Sequence, residues 1–141
     1  MPVGNRLSDA DANNILDMIL SHAASALPAT WHFALVVTAP TNDTGVGLVE
    51  VAAGGYARVA MLADLTNFPA ATARAKANAL VIQWPTATAD WAAGVVKIVG
   101  VALFDTATAG VYQGYGALTT PVNVLTGGAP LIGVGAFSMT A

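Results

Sequence analysis

Few side chains in this 141-residue sequence have the chemistry of a nucleophile or a general base. There are two histidines, His22 and His32, and no cysteine, and no serine lies in the G-x-S-x-G elbow typical of hydrolases. His22 falls at the end of a predicted helix, where it complements the helix dipole. We therefore predict no catalytic residues and a protein that is not an enzyme.

The carboxylates suggest one binding site at most. The eight acids are dispersed, and only Asp90 beside Trp91 pairs an acid with an aromatic ring in the manner of a sugar site. A turn aspartate that precedes an anchoring tryptophan is the favoured interpretation. Metal-ligand motifs are missing and the Gly-x-Gly pairs lack a nucleotide-binding context, so we predict no metal and no cofactor. These glycines indicate strand bends or close backbone approaches: Gly45/Gly47, Gly114/Gly116 and Gly133/Gly135.

Charge and hydropathy exclude two classes of partner. Five scattered basic residues and a net charge of −3 argue against nucleic acid. The most apolar run, 95–104, is interrupted by Lys97 and Gly100, so we expect no membrane span. Acids at positions 9, 11 and 17 argue against a signal peptide, which predicts folding in the bacterial cytoplasm.

The hydrophobic pattern predicts one short helix followed by many strands. Ser8 is a helix cap, Asp11 can return the bond as a capping box, and the helix is expected over roughly 9–22. Trp31 and Phe33 then alternate with His32 in a strand. Further β segments are expected near 48–52, 56–62, 79–84, 95–104, 111–118 and 131–139, while 70–79 is left open between a helical turn and extended chain. The fold class predicted is mainly β: a single domain over 1–141, an antiparallel β-sandwich or barrel of jelly-roll type with one N-terminal α-helix.

The C-terminal third carries an unusual signal. Residues 106–141, the charge-free segment, contain no Asp, Glu, Lys or Arg, and 55% of the whole chain is hydrophobic against 9% charged. Central strands of one core are an alternative explanation, but interface cores are depleted in charge, and we predict self-association as a dimer or trimer. The expected contact residues are Arg58, Tyr112, Tyr115, Leu131, Ile132, Phe137 and Met139. Arg58 is suited to stacking on an aromatic ring or binding a neighbour's carboxylate, and a solvated strand residue with no special partner is an equal alternative.

Several segments together resemble a known family. They are NILDMIL (14–20), PATWHFAL (28–35), VEV (49–51), GGYAR (54–58), VIQWPTATADW (81–91), VALFD (101–105) and YGALTTP (115–121). In order and spacing the chain resembles small tailed-bacteriophage virion proteins, often labelled tail fibre or minor structural protein. The resemblance implies a virion component without enzymatic activity.

The resemblance leaves the position in the particle open. Our leading hypothesis is a capsid decoration or cement protein that binds the major capsid protein, because the charge-free segment favours a closely packed oligomer. The alternative is a tail or tail-fibre subunit that binds tail proteins. A carbohydrate-binding module is the alternative from another class, and it depends on Trp84, Asp90, Trp91, Tyr112 and Tyr115.

Overall fold

The computed structural model describes residues 6–22 and 27–140. The first elements are β1 (Arg6–Leu7), α1 (Asp9–Ser21), β2 (Thr30–Thr38), β3 (Val49–Glu50), β4 (Val59–Leu62) and β5 (Ala75–Ala77). They are followed by β6 (Ile82–Gln83), β7 (Ile98–Phe104), β8 (Tyr112–Val122), β9 (Leu131–Ile132) and β10 (Ser138–Thr140). The prediction of a mainly β chain with one N-terminal helix is confirmed.

A six-stranded antiparallel sheet forms the main layer. Its order is β1-β8-β7-β2-β3, and β4 pairs with the first half of β2 beside β3. Two small sheets, β10-β5 and β6-β9, complete the fold. The main sheet has free ends in this order and does not close, so of the two predicted architectures the open, sandwich-like one applies and the barrel is wrong.

The core lies between one face of the main sheet and the two small sheets. Because side chains alternate along a strand, Phe33 and Leu35 of β2 and Leu103 of β7 point to the same face. There they meet Ile82 and Trp84 from the β6 region. On the opposite face Ala34, Val36, Ala102, Phe104 and Tyr115 form a second, smaller cluster.

The helix begins as predicted, but its second capping bond is different. Ser8 Oγ accepts the Asp11 N–H at 3.2 Å, and the Ser8 N–H donates to the Gln113 carbonyl at 2.8 Å and not to the Asp11 carboxylate. The capping box is therefore wrong, because pairing of β1 with β8 brings the Gln113 carbonyl to the Ser8 amide. His22 ends the helix in the left-handed conformation, and its N–H donates to the Asp17 carbonyl. In the described part of the chain, no helix is both long and apolar enough to cross a membrane.

Two segments differ from a simple strand pattern. Residues 70–79 contain a turn at Ala73 and Arg74, with φ of 49° and 64°, before the chain extends into β5. The segment predicted as one strand over 131–139 is two strands, β9 and β10, separated by a turn at Gly135 with φ of 76°. The first half pairs with β6 and the second with β5, so the turn redirects the chain between the small sheets.

Candidate functional site

The two histidines lie on separate elements. His22 is exposed at the end of α1, whereas His32 is half-buried in β2, opposite Ala60 of β4 and Phe104 of β7. Among the residues that the structure describes, neither is hydrogen-bonded to a serine or a carboxylate as a catalytic base would be. Their arrangement gives no support to nucleophilic catalysis.

The acid and aromatic pair at Asp90 and Trp91 supports the fold, with Asp90 at the surface and Trp91 in the core. Asp90 Oδ1 accepts the Thr126 N–H at 2.8 Å and the Thr126 hydroxyl at 2.9 Å. These bonds lower the pKa of the Asp90 carboxyl because they favour its charged form. Trp91 is buried and donates to the Gly54 carbonyl at 2.7 Å, and Trp84 is only 1% exposed. Neither ring offers a face to a sugar, so the carbohydrate-site interpretation is wrong at these tryptophans, and core anchoring is confirmed.

Arg58 is held by partners within its own chain. Its guanidinium binds the Glu50 carboxylate through Nε at 2.9 Å and Nη2 at 2.7 Å. Nη1 donates to the carbonyls of Thr106 and Ala109, and the group lies 3.7 Å over the centroid of the Phe104 ring. The predicted stacking on an aromatic ring is confirmed. With 6% of its side chain exposed, Arg58 supports the fold and leaves little surface for another subunit.

The two tyrosines singled out in the sequence also pack within the chain. Tyr115 is buried against Gly100, where a Cβ would collide with the phenol ring, and burial raises the pKa of its hydroxyl. Tyr112 meets Phe104 edge-on with ring centroids 6.2 Å apart. Its ring lies beneath Gly45, whose φ of 84° fits the predicted bend. The remaining predicted contact residues belong to β9, β10 and the turn between them.

An open groove is lined by side chains from distant parts of the chain. Its volume is about 570 Å³, within the range of roughly 300–1,000 Å³ typical of binding sites. Phe137 packs edge-on against Phe33 with centroids 5.1 Å apart, and Phe68 stacks on the other side of Phe33 at 6.3 Å. We call this surface the apolar groove and define it by Trp31, Phe33, Leu65, Phe68, Phe137 and Met139. Two of the predicted contact residues, Phe137 and Met139, are therefore brought together here.

Asn78 holds one wall of the apolar groove and was not singled out from the sequence. Its side-chain nitrogen donates to the carbonyls of Leu80 at 2.8 Å and Gly133 at 3.0 Å. Its side-chain oxygen accepts the Phe137 N–H at 3.0 Å. A lone asparagine in an alanine-rich stretch carries no local signal for this role, because two of its three partners, Gly133 and Phe137, lie 55 and 59 residues away.

Other apolar side chains are exposed on the charge-free segment and on α1. Leu131 on β9 is 56% exposed, and Val134 in the following turn is 63% exposed. The exposed set of the charge-free segment also includes Val111, Val122 and Leu125. On α1 the exposed apolar residues are Leu16, Met18, Ile19 and Leu20. Large contiguous apolar surface is typical of interaction sites in folded proteins.

Comparison with known proteins identifies a family. The family model described as Podophage GP4 fiber I protein gp80 matches residues 6–140. No curated protein sequence matches the chain significantly. The matched range runs from the start of β1 to the end of β10, so the similarity extends over the whole described fold.

Proposed function

The chain belongs to the family of Podophage GP4 fiber I protein gp80, and from this premise we propose that it is a self-associating, non-enzymatic structural subunit of a phage fibre. Membership confirms the predicted resemblance to tailed-phage virion proteins and the predicted virion location. The proposed partners are further copies of the chain and the proteins to which the fibre attaches.

The observation that carries the proposal is the exposed apolar surface. A soluble monomer normally places charge on its outward strand faces, but the charge-free segment exposes Leu131 and Val134 with no charged side chain around them in the sequence. Such surface needs a protein partner to be covered. Assembly into a particle supplies many copies at high local concentration, which fits this requirement.

The absence of enzymatic chemistry is part of the proposal and has a structural argument. The acids and bases with resolved side-chain contacts support the fold: Asp90 holds Thr126, and Glu50 holds Arg58 and Tyr56. The Tyr56 hydroxyl, which donates to Glu50 at 2.7 Å, has a raised pKa because of burial and of its bond to the carboxylate. A phenol in this state is a poor proton donor at neutral pH.

Decoration of the capsid is the second candidate. The two-layer globular fold and the charge-free segment suit a cap that packs on a shell better than an elongated shaft. In that case the partner would be the major capsid protein. The word "fiber" in the family description favours the first candidate, and this is why we place the fibre ahead of the shell.

Immunogold labelling of intact phage particles tests the proposal. We expect gold at the fibres or at their attachment points. Label spread over the shell would support decoration instead, and purified protein should then bind undecorated expanded shells in stoichiometric amounts. Particles without label, together with no protein detected in purified virions by mass spectrometry, would overturn both candidates.

A further inference from the structure

The second half of α1 is apolar on almost all sides. Between residues 15 and 20 only Asp17 is polar. Leu16, Ile19 and Leu20 are 53%, 61% and 77% exposed. A helix that is apolar all round is found buried in folded proteins, so these side chains require a cover that the described part of one chain does not provide.

The helix is attached to the rest of the described chain at its first turn. The Ser8 N–H donates to the Gln113 carbonyl at 2.8 Å, and the Asp9 N–H donates to the Asp43 carbonyl at 3.4 Å. With its amide nitrogen oriented toward the helix, Gln113 also donates to Asp11 Oδ2 at 2.8 Å. No described strand packs along the helix. The apolar half therefore extends from a fixed base.

The apolar groove has the complementary character. Aromatic and aliphatic side chains line it, and Lys76 lies at the groove with the exposed Arg74 two residues before it. Asp64, the acid at the groove, already accepts the backbone N–H groups of Thr66 and Asn67. The exposed apolar half of the helix carries one acid, Asp17, and no basic residue, whereas Asp11 is buried in the anchored first turn. An apolar helix half that carries one acid and an apolar groove with a basic edge are complementary in hydropathy and charge.

The groove and the base of the helix lie on opposite faces of the main sheet. Leu103 lines the groove, whereas Phe104, the next residue of β7, points to the other face and contacts Tyr112. Gly45, which is close to the helix anchor at Asp43, lies over Tyr112 on that second face. A helix fixed on this side does not lie along the groove of its own chain, and none of the side chains that line the groove belongs to α1.

We propose that α1 of one copy docks into the apolar groove of a second copy and that this helix-in-groove contact drives self-association. The mode is the one by which amphipathic helices bind grooves in many complexes. A contact between two different surfaces joins copies head to tail and closes into a ring if the rotation allows. The inference rests on the proposed function in one respect, because it specifies how the self-association takes place.

The chain has no cysteine, so disulfide trapping gives a clean test. A mixture of the Ile19→Cys and Leu65→Cys variants should form a covalent heterodimer under mild oxidation, because docking brings these positions within disulfide range. A mixture of Val95→Cys and Leu65→Cys is the matched control, since Val95 is 98% exposed and lies outside both surfaces. We expect the heterodimer in the first mixture and its loss in the control.

A single chain that carries both cysteines distinguishes docking between two copies from docking within one chain. The proposal predicts covalent oligomers. An internal disulfide in a chain of monomeric mass would overturn it, because that product means that the helix occupies the groove of its own chain. Equal yields of heterodimer from the two mixtures would overturn it as well.

Sedimentation equilibrium measures how much the apolar side chains of α1 contribute to the affinity of self-association. Leu16→Gln combined with Ile19→Gln should raise the dissociation constant of self-association at least about tenfold, because two aliphatic side chains lose their buried environment. Val95→Gln should leave it unchanged. Both altered positions are exposed in one copy, so circular dichroism should show an intact fold. Unchanged association of the double variant, or a wild-type chain that stays monomeric, would overturn helix docking, whereas absence of the protein from virions would overturn the proposed function.

Discussion

The guanidinium of Arg58 and the carboxylate of Glu50 form a two-point ion pair, with Nε–Oε1 and Nη2–Oε2 distances of 2.9 and 2.7 Å. Glu50 lies on β3 and Arg58 lies immediately before β4, so the pair joins the two short strands that share one edge of β2. Through Nη1 the same arginine also holds the loop after β7 at Thr106 and Ala109. One side chain thereby connects three separate segments of the chain.

Replacement of Glu50 by Gln should lower the free energy of unfolding by about 3 kcal/mol, because it leaves a buried guanidinium without its counter-charge. Urea denaturation at neutral pH measures the loss. Lys97→Met is the matched control: Lys97 is exposed and bonds one side chain, Asn123, so its loss should stay within about 0.5 kcal/mol. Similar losses in the two variants would contradict the structural role of the Arg58–Glu50 pair.

Replacement of Gly100 by Ala should destabilise the protein by about 2 kcal/mol, because the added Cβ overlaps the Tyr115 ring and overpacking of a core costs roughly 1–3 kcal/mol. The same change in a Tyr115→Ala background should cost much less, since the ring is gone. Gly133→Ala is the control, because a Cβ at that position meets open space. Thermal unfolding of the four variants gives the coupling energy, and additive losses at positions 100 and 115 would refute the predicted collision.

Replacement of Asn78 by Ala should cost about 2–3 kcal/mol, since it leaves the Leu80 and Gly133 carbonyls and the Phe137 N–H without their partner in a part-buried site. Asn123→Ala is the matched control. Asn123 also makes three bonds to the backbone, all of them as a donor to carbonyls, but it is exposed, so water can replace its side chain. Chemical denaturation should therefore show a smaller loss for Asn123. Equal losses in the two variants would contradict the conclusion that burial makes the hydrogen bonds of Asn78 more stabilising than those of Asn123.

Asp11 should make the protein less stable as the pH rises. Burial raises the pKa of this carboxyl, the bond from Ser8 acts in the opposite direction, and the charge of Asp105 raises it further. A carboxyl with a raised folded-state pKa stabilises the protein while protonated, below its unfolded-state pKa, and loses that contribution as the pH rises through the folded-state value. Asp11→Asn should therefore gain in stability relative to wild type between about pH 3 and pH 7. Unfolding curves measured across this range give the difference in stability between the variant and wild type at each pH. A difference that does not change with pH would contradict the prediction.

Asp90 should show the opposite dependence. Its pKa is lowered by the backbone and hydroxyl bonds of Thr126, so its contribution to stability is present above the unfolded-state pKa and is lost as the pH falls through the folded-state value. Asp90→Asn should be less stable than wild type at neutral pH, and the difference should disappear in acid. The same series of denaturation curves measures this difference in stability. If Asp90→Asn stays less stable than wild type at the lowest pH, the ionised carboxylate is not the cause.

Predictions that rest on local features of the sequence are reliable. Ser8 and His22 mark the two ends of α1 as expected, and the alternation around Trp31 and Phe33 correctly predicts β2. In these cases the hydrogen bonds or the alternation are set by residues within a few positions of one another. The order of the sequence segments likewise predicted the family, which the match over residues 6–140 confirms.

Predictions that depend on a distant partner had mixed outcomes. The expected bond from the Ser8 amide to Asp11 is wrong, because β1–β8 pairing gives that amide to Gln113. The subunit contact of Arg58 stays a prediction, and folding supplies Glu50 and Phe104 from its own chain as further partners. For the tryptophans at 84 and 91, the favoured interpretation as core anchors is confirmed by their burial.

By itself the sequence determined a mainly β chain, one capped N-terminal helix, the lack of an evident catalytic motif and a charge-free C-terminal third, because these follow from residue type and from spacing within single elements. Only the tertiary structure decided that Trp31, Phe68 and Phe137 line one groove and that α1 exposes its apolar half. Those features arise from packing between segments separated by tens of residues, and a one-dimensional pattern does not encode which side chains will meet.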